Sequence, residues 1–310
     1  MLLNRRRFVS TTATLGAGAA LPISAQAASD ALRFVLVGDW GRHGHDKQWA
    51  VGVQMGKTAA ALGSAFTVSL GDNFYENGVT GLDDPQWQSS FEQIYTAPAL
   101  QTEWKVILGN HDYRGNVQAQ IDYSATSPRW RLPKRYYAET LALPDGGTAD
   151  VFFLDTSPFI TKYLGSAVRI EGQDSAAQLA WLDAALGAST AAWKIVVGHH
   201  PIYTALDYSD GETHDQPDLV ARLNPVLRAH QVPLYICGHD HCMQAVQMEG
   251  MRYVVNGVGS RIYQPNAPIR GGFAAGAHGF MTVQITRHRL DYRLVDMYGT
   301  TRYAESLTRA

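Results

Sequence analysis

Five short groups of residues in this sequence combine carboxylate, amide, imidazole and phenol side chains, and each group begins with a glycine. The groups are Gly38-Asp39-Trp40-Gly41, Gly71-Asp72-Asn73-Phe74-Tyr75, Gly109-Asn110-His111-Asp112, Gly198-His199-His200 and Gly238-His239-Asp240-His241. Each follows a short apolar run of the kind that forms a buried strand. In open α/β sheets, ligands bind beyond the carboxyl ends of the strands, where residues far apart in sequence converge. We therefore expect the five groups to build a single site.

These side chains offer oxygen and nitrogen donors and no thiolate, which is a donor set suited to first-row transition metals. Seven of them are too many for one ion but suit two ions that share a carboxylate: Asp39, Asp72, Tyr75, Asn110, His199, His239 and His241. Asp72 is the predicted bridge, because its segment also supplies Tyr75 three residues further on. Two metals about 3.5–4 Å apart hold the attacking and leaving oxygens of an in-line phosphoryl displacement. The predicted chemistry is therefore metal-assisted hydrolysis of a phosphoric ester.

Each group alone has a simpler explanation. A Gly-Asp pair is more often a turn than a metal site, and a pair of histidines is more often a surface pair. Trp40 and Phe74 are expected to pack beside the site rather than to take part in chemistry. The five groups together, in this order and each at a strand end, favour the metal-site interpretation.

Between these groups, apolar runs alternate with helical patterns, which is typical of an α/β fold. The runs predicted as strands in the first part of the chain are residues 32–37, 65–70, 105–108, 150–154, 194–197 and 233–237. The predicted helices are residues 49–62, 175–186 and 218–230. Three later runs have no helix between them, which predicts antiparallel strands added to the sheet: residues 251–256, 280–286 and 290–296.

Composition limits the class of protein. Hydrophobic residues make up 45% of the 310 residues, enough to bury a sizeable core, and two cysteines exclude a disulfide scaffold. The formal net charge of −2 argues against a broad nucleic-acid-binding surface. Cys237 and Cys242 flank the last polar group, and we expect two free thiols there, with a disulfide as the alternative.

The first 27 residues are predicted to be a targeting segment rather than part of the fold. Three arginines at positions 5–7 precede a mildly apolar stretch, and Ala25-Gln26-Ala27 supplies a small-residue cleavage site. The run Asn4-Arg5-Arg6-Arg7-Phe8-Val9-Ser10 resembles the twin-arginine export signal; the alternatives are an uncleaved membrane anchor and a basic start that arose by chance. We expect the bacterial twin-arginine translocase to export the chain to the periplasm or the medium. Residues 28–310 would then form one mature domain without stable membrane association.

The five groups read GDWG, GDNFY, GNHD, GHH and GHDH. In their residues and their order they resemble the motifs of the purple acid phosphatases, within the metallophosphoesterase (calcineurin-like) superfamily. The resemblance is to the small, tartrate-resistant (type 5-like) form found in mammals, and it covers most of residues 33–256. GDNFY distinguishes the purple acid phosphatases from other metallophosphoesterases. Generic metallophosphoesterases carry the Asp and usually the Asn, whereas the tyrosine, here Tyr75, belongs to the purple group. The resemblance implies an α/β fold: a four-layer α/β/β/α sandwich with mixed sheets, whose metal site lies at the C-terminal ends of strands.

The resemblance also implies a ligand set for each of two metals. The first metal is ferric iron in this family, and its ligands would be Asp39, Tyr75 and His241. The second metal is iron, zinc or manganese in different members, and its ligands would be Asn110, His199 and His239. Asp72 would bridge both ions. A phenolate such as Tyr75 is a hard anionic donor that stabilises Fe(III) and produces a charge-transfer colour.

Further residues would act beside the metals. His111 would face the substrate and either help to bind phosphate or protonate the leaving alkoxide, and Asp112 is expected to orient His111. His200 stands where the mammalian type has a tyrosine, and it either aids substrate binding or lies in a turn. The family often has a further histidine that contacts phosphate, and the candidates here are His214, which we favour, and Tyr208.

We therefore expect an acid phosphatase that hydrolyses phosphoric monoesters with Fe(III) and a second divalent metal. Its partners would be small phosphate esters and not nucleic acid. Two alternatives stay open. One is a phosphodiesterase or nucleotide hydrolase on the same two-metal core, and the other is a non-catalytic periplasmic protein that binds metal or phosphate.

Overall fold

The structure is a computed structural model, and it describes residues 31–206, 216–266 and 271–309. The strands in these ranges are β1 Leu32–Val37, β2 Thr67–Ser69, β3 Trp104–Val106, β4 Trp130–Arg131, β5 Tyr137–Ala142, β6 Thr148–Phe153, β7 Trp193–Val197, β8 Leu234–Cys237, β9 Met243–Met248, β10 Met251–Asn256, β11 Phe273–Ala275, β12 Gly279–Ile285, β13 Arg289–Asp296 and β14 Thr301–Thr308. The α-helices there are α1 Gln48–Leu62, α2 Val117–Asp122, α3 Ser175–Ala188 and α4 Pro217–Ala229. The predicted export signal over residues 1–27 and the candidate His214 lie outside the described residues.

The first sheet has seven strands in the order β14-β13-β12-β1-β2-β3-β4. Strands β1 to β4 pair in parallel with one another, whereas β12 pairs antiparallel with β1, and β13 and β14 continue the antiparallel pairing beyond it. Val35, Leu36 and Val37 of β1 are fully buried, as expected for a strand covered on both faces. Of the three late strands predicted to be antiparallel, β12 and β13 extend this sheet next to β1. The prediction is wrong for the run 251–256, which is β10 of the second sheet and pairs in parallel with β8 and antiparallel with β9.

The second sheet also has seven strands, in the order β11-β9-β10-β8-β7-β6-β5. Strands β6, β7, β8 and β10 pair in parallel, and β5, β9 and β11 pair antiparallel at its two sides. Both sheets are thus mixed, and each places a set of parallel strands at its centre. The carboxyl ends of these parallel strands carry the five polar groups.

Helices lie against each sheet, and the two sheets contact one another through β10 and β12. Helix α1 packs on β1 and β12 of the first sheet. On the second sheet, Lys194 of β7 donates a hydrogen bond to the Leu186 carbonyl of α3 at 2.7 Å, and Tyr253 of β10 donates one to Asn224 of α4 at 2.5 Å. The predicted α/β/β/α sandwich with mixed sheets is confirmed. No helix among the described residues is long and apolar enough to span a membrane.

Every strand and helix predicted from the sequence is present, with ends that differ by at most two residues. The prediction missed α2 and the strands β4, β5, β9, β11 and β14. Four of these strands are the outermost strands of the two sheets. An edge strand has solvent on one side, so its sequence lacks the continuous apolar run by which a buried strand is recognised. Strand β5 shows this directly, because exposed or partly exposed residues follow the buried Tyr137 along its whole length.

Candidate metal centre

The five polar groups meet at the carboxyl ends of central strands from both sheets. Asp39, Asp72 and Asn110 follow β1, β2 and β3 of the first sheet, and His199 and His239 follow β7 and β8 of the second. Asp39, Asp72 and His199 each offer one ligand atom, and these three atoms lie within 4.8 Å of one another. The site therefore lies where the strand ends of the two sheets converge, as the sequence predicted.

The backbone at this site is held in unusual conformations. Asp39, Asp72 and His239 have φ angles of 60°, 49° and 67°, a region that residues with side chains rarely adopt. Hydrogen bonds keep these turns in place, for example from the His239 backbone N–H to Asp39 Oδ2 at 2.9 Å. A Cβ atom at Gly109 would lie 2.2 Å from Asp72 Oδ1. Glycine is therefore required there so that the chain can pass close to the Asp72 carboxylate.

Asp39, Tyr75 and His241 form one group of facing donors, which Asp72 joins. The Tyr75 hydroxyl lies 2.9 Å from Asp39 Oδ1, 3.0 Å from Asp72 Oδ2 and 3.2 Å from His241 Nε2. His241 Nε2 lies 3.3 Å from Asp39 Oδ1. Neighbouring ligand atoms of an octahedral ion are about 3 Å apart when the metal–ligand bonds are about 2.1 Å long. These residues therefore fit the first metal of the predicted pair.

Asn110, His199 and His239 form a second group of facing donors. Asn110 Oδ1 lies 3.2 Å from His199 Nε2 and 3.0 Å from His239 Nδ1, and the two imidazole nitrogens are 3.3 Å apart. Asp72 Oδ1 lies 3.5 Å from His199 Nε2, while its other oxygen faces Tyr75 of the first group. The two oxygens of Asp72 thus face different donor groups, which is what a bridging carboxylate requires.

The hydrogen bond of His199 also fits a metal ligand. Its Nδ1 lies 2.9 Å from the Leu70 carbonyl, which only accepts, so Nδ1 carries a proton and Nε2 is the nitrogen available to a metal. Nε2 faces the carbonyl oxygen of Asn110, and a metal ion bound between these two atoms would take the place of the second proton of the ring. Burial lowers the pKa of His199, but the carboxylates of Asp72 and Asp39 outweigh burial and raise it to about 9. The same negative field favours a bound cation.

Comparisons with known proteins decide the family. The family model of the calcineurin-like phosphoesterases matches residues 32–243. Purple acid phosphatase 7 of Arabidopsis thaliana is 37% identical over 292 residues, which cover 90% of this chain and 86% of that protein. Tartrate-resistant acid phosphatase type 5 of Homo sapiens is 33% identical over 315 residues, which cover 93% of this chain and 94% of that protein. The chain belongs to the purple acid phosphatases.

A solved structure with the same fold comes from a protein of a different description. It is GAP50, the anchor in the inner membrane complex of Plasmodium, which matches with a TM-score of 0.79 and 25% identity over 91% of this chain and 90% of that chain. Purple acid phosphatases use a dinuclear metal centre, and the two donor groups joined by Asp72 fit such a centre in this member of the family.

The environment of Tyr75 makes its ionisation depend on a cation. Burial, together with the carboxylates of Asp39 and Asp72, raises the pKa of Tyr75 well above its usual range. The Arg42 guanidinium lies 3.7 Å from the centre of the Tyr75 ring and opposes this shift. Arg42 is buried and pairs with Glu76. The sequence analysis missed Arg42, and its position three residues after Asp39 was the only signal that could have found it.

His111 lies at the edge of the centre and points one nitrogen towards it. Its Nδ1 lies 2.6 Å from the Glu76 carbonyl, so this nitrogen donates a hydrogen bond and is held in place. Its Nε2 lies 4.0 Å from Asp72 Oδ2, and the side chain is 17% exposed. The His111 backbone N–H donates to Asp72 Oδ1 at 2.7 Å. This geometry places His111 where a substrate can reach Nε2.

Asp112 has a different position from the one expected. Its carboxylate accepts hydrogen bonds from the Gly109 backbone at 2.8 Å, from the Gln120 side chain at 2.9 Å and from Asn73. It is fully buried, and burial together with the nearby Asp72 raises its pKa to about 7. The predicted orientation of His111 by Asp112 is corrected: the Glu76 carbonyl orients that ring, and Asp112 ties together the loops that carry the ligands.

His200 is buried beneath the second donor group. Its Nδ1 lies 2.8 Å from Thr156 Oγ1 and its Nε2 lies 3.0 Å from the Tyr163 hydroxyl. Both nitrogens are thus engaged within the protein, which favours the alternative that His200 lies in the turn after β7 over a role in substrate binding, although the ring lies close to His199 and His239. Burial holds the pKa of His200 well below its usual range, which keeps it neutral. Thr156 and Tyr163 escaped the sequence analysis because neither stands in a polar group.

Other expectations concern residues beside the centre. Cys237 and Cys242 are both buried free thiols, which confirms that prediction. Trp40 and Phe74 are fully buried, with ring centres 5.5 Å apart, and they form the apolar support of the first ligand loops. His214 lies outside the described residues, so its expected role in phosphate binding stays a prediction, as does the alternative Tyr208.

Proposed function

We propose that this chain hydrolyses small phosphoric monoesters as a metal-dependent acid phosphatase, with Fe(III) at Asp39, Tyr75 and His241. The observation that carries this proposal is the bridging position of Asp72 between two donor groups, each with the ligand spacing of one ion. The tyrosine in the first group supports ferric iron there, because a phenolate is a hard anionic donor. The amide and imidazole donors of the second group suit a divalent ion such as iron, zinc or manganese.

Ions held in this way would supply an acidified water and would neutralise the charge of the transferring phosphoryl group. The chain's own residues fix the geometry of this chemistry. Asp72 is anchored by the backbone N–H of His111, so this hydrogen bond ties the loop of the bridging residue to the loop of the substrate-facing residue. The His199 ring is likewise fixed by the Leu70 carbonyl, which preserves the spacing between the two donor groups.

His111 is the candidate general acid. When the ester bond between phosphorus and the alcohol oxygen breaks, that oxygen takes up a proton, and His111 Nε2 is the nitrogen that faces it. The Glu76 carbonyl holds Nδ1 at 2.6 Å, so the ring presents Nε2 in a fixed orientation. A positioned acid of this kind contributes about 10²–10⁴-fold to the rate.

A second candidate function is anchoring without catalysis. The observation that favours it is the likeness to GAP50, which is described as the anchor in an inner membrane complex. The complete set of seven donors supports the phosphatase instead. A phosphodiesterase on the same core is the second enzymatic alternative.

Metal analysis and kinetics test these functions together. We expect the purified protein to contain iron, to show a tyrosinate charge-transfer band in the visible spectrum, and to hydrolyse 4-nitrophenyl phosphate. Its kcat/KM for this monoester should exceed that for bis(4-nitrophenyl) phosphate. A preference for the diester would make the chain a phosphodiesterase, and the absence of turnover in the metal-loaded protein would favour the anchoring role.

Export by the twin-arginine route is a further part of the proposed function. It is supported by the arginines at positions 5–7, the small-residue site Ala25-Gln26-Ala27 and the need of a metalloenzyme to fold around its ions. The mature chain would then act in the periplasm or the medium, over residues 28–310. Cell fractionation of the native precursor tests this location.

A further inference from the structure

A second recess lies beside the metal centre, and the proposed mechanism does not use it. It is a cleft of about 570 Å³ whose lining includes Asn77 and Arg114, which follow two of the ligand groups in the chain. Arg135 and Arg169 line it from two other segments. Three arginines from separate parts of the sequence thus line one space.

The cleft carries positive charge. Within the described residues, Arg135 donates to the Tyr113 hydroxyl at 2.9 Å and Arg169 donates to the Arg114 carbonyl, so both guanidinium groups have neutral partners. None of the described residues that line the cleft carries a carboxylate. Asp155 accepts a hydrogen bond from the Tyr113 hydroxyl. Burial raises the pKa of Asp155 to about 7, so at acid pH this carboxyl group is protonated and does not offset the positive charge of Arg135.

One of the arginines has unused hydrogen-bonding capacity. Arg114 Nε is buried and has no hydrogen-bond partner among the described residues. A buried guanidinium N–H without a partner is costly, and because Arg114 also lines the cleft, a turn of this side chain towards a bound anion would satisfy it. The planar fork of an arginine matches the oxygens of a phosphate group, which accepts two parallel hydrogen bonds.

The cleft adjoins His111, the residue proposed to protonate the departing alcohol. The His111 ring separates the two spaces: its Nε2 lies 4.0 Å from Asp72 Oδ2, and its Nδ1 lies 3.3 Å from Arg114 Nη1. A substrate phosphate at the metal centre would therefore direct its alcohol past His111. The next groups that this alcohol meets are the arginines of the cleft.

We propose that this cleft binds an anionic group on the alcohol part of the substrate, so that the chain prefers phosphoric monoesters whose alcohol carries a second phosphate. This inference rests on the proposed phosphatase function and adds a substrate class to it. The second phosphate would bind to the three arginines while the first occupies the metal centre. The His111 ring would lie between them, beside the ester oxygen that receives the proton.

The test compares two substrates that differ only in the second phosphate: 1,4-butanediol bisphosphate and 4-hydroxybutyl phosphate. Either end of the bisphosphate can react, so a twofold preference is expected from statistics alone. A phosphate held by charge-assisted hydrogen bonds should raise kcat/KM by about tenfold or more. The preference should also decline as salt is added, because exposed charges are screened. A preference of only twofold in the native protein overturns the proposal.

Variants locate the effect in the cleft. Arg135→Gln and Arg169→Gln should each lower the preference for the bisphosphate, and Arg169→Lys should restore part of it, because the charge remains. Arg287→Gln is the matched control. Arg287 is exposed and lies two residues after Ile285. Ile285 pairs with Leu32, the first residue of β1, so Arg287 lies at the opposite end of the sheet from the site. Equal loss of preference in Arg287→Gln would refute the assignment to this cleft.

The outcomes separate this inference from the function on which it rests. If the native protein, loaded with metal, hydrolyses neither compound nor 4-nitrophenyl phosphate, the phosphatase function is wrong. If it hydrolyses all three with only the statistical preference, the function stands and the cleft does not bind the second phosphate. If free inorganic phosphate abolishes the preference without inhibiting hydrolysis of 4-hydroxybutyl phosphate, the cleft is an anion site as proposed, and phosphate competes with the second phosphate group there.

Discussion

His111→Ala tests whether this histidine acts on the leaving group or holds the site together. The ring is 17% exposed and makes no hydrogen bond to Asp72 through its side chain, since Nε2 lies 4.0 Å from Oδ2. The link to the bridging carboxylate runs through the His111 backbone N–H, which alanine retains. The variant should therefore keep both metals and their colour. The variant removes the proton donor together with the hydrogen bond of its Nδ1 to the Glu76 carbonyl.

The size of the effect should depend on the alcohol. Loss of a positioned general acid costs about 10²–10⁴-fold in rate, or about 2.7–5.4 kcal/mol of transition-state stabilisation. The fixed contact between Nδ1 and the Glu76 carbonyl, at 2.6 Å, keeps the acid oriented and favours a large contribution for alkyl phosphates. Nitrophenol departs without a proton, so the loss for 4-nitrophenyl phosphate should be small.

The assay measures kcat for both ester types in the native protein and in His111→Ala, with metal content and the visible spectrum recorded for each preparation. His288→Ala is the matched control, because His288 is exposed in the turn between β12 and β13. An equal loss of rate on both esters would refute the general-acid role and leave phosphate positioning. Loss of metal in His111→Ala would show that the side chain supports the centre.

Four further outcomes are expected. Tyr75→Phe should remove the visible band while the protein remains folded by circular dichroism, and a retained band would rule out tyrosinate ligation of iron. Asp72→Asn should lose metal as well as activity, because two cations would face each other without the shared anion; full metal content by mass spectrometry would contradict the bridge. Lysine at positions 5–7 should leave the precursor in the cytoplasm, because the translocase recognises arginine and not charge alone, whereas normal export would indicate the general secretory route. Burial raises the pKa of Asp155 to about 7 in the native protein, whereas the value in the unfolded chain is about 3.9. Between these two pH values the native protein keeps a proton on Asp155 that the unfolded chain has lost, so the unfolding free energy falls as pH rises from about 4 to 7. The difference in unfolding free energy between Asp155→Asn and the native chain, measured by denaturant unfolding, should therefore shift in favour of the variant between pH 4 and pH 8. An equal difference at both pH values would contradict the raised pKa.

The sequence was sufficient to predict the five polar groups and their convergence at one site. Each group follows a strand of a parallel set, and strands of one set end at the same edge, so the strand order places the three groups of the first sheet together and the two groups of the second sheet together. The packing of the two sheets then brings these two sets to one site. The structure brings together all seven residues that the sequence grouped as donors. Their assignment to particular metals remains a prediction that the metal analysis tests.

The details that the sequence did not predict depend on side-chain contacts between distant segments. Asp112 stands next to His111 in the sequence, yet its carboxylate faces Asn73 and Gln120, because the chain turns between the two residues. His200 follows a ligand directly, yet Thr156 and Tyr163 engage both of its nitrogens. Adjacency in sequence says nothing about the direction of a side chain after a strand has ended.

The origin of the donors explains why the site and the fold depend on each other. The first group combines Asp39 and Tyr75, which follow strands of the first sheet, with His241, which follows a strand of the second. The second group combines Asn110 from the first sheet with histidines from the second. Each ion would therefore join the two sheets, so the spacing of the donors within each group depends on how the sheets pack against one another, a contact to which β10 and β12 contribute. A substitution in that interface would change the spacing of the metal ligands without touching any of them.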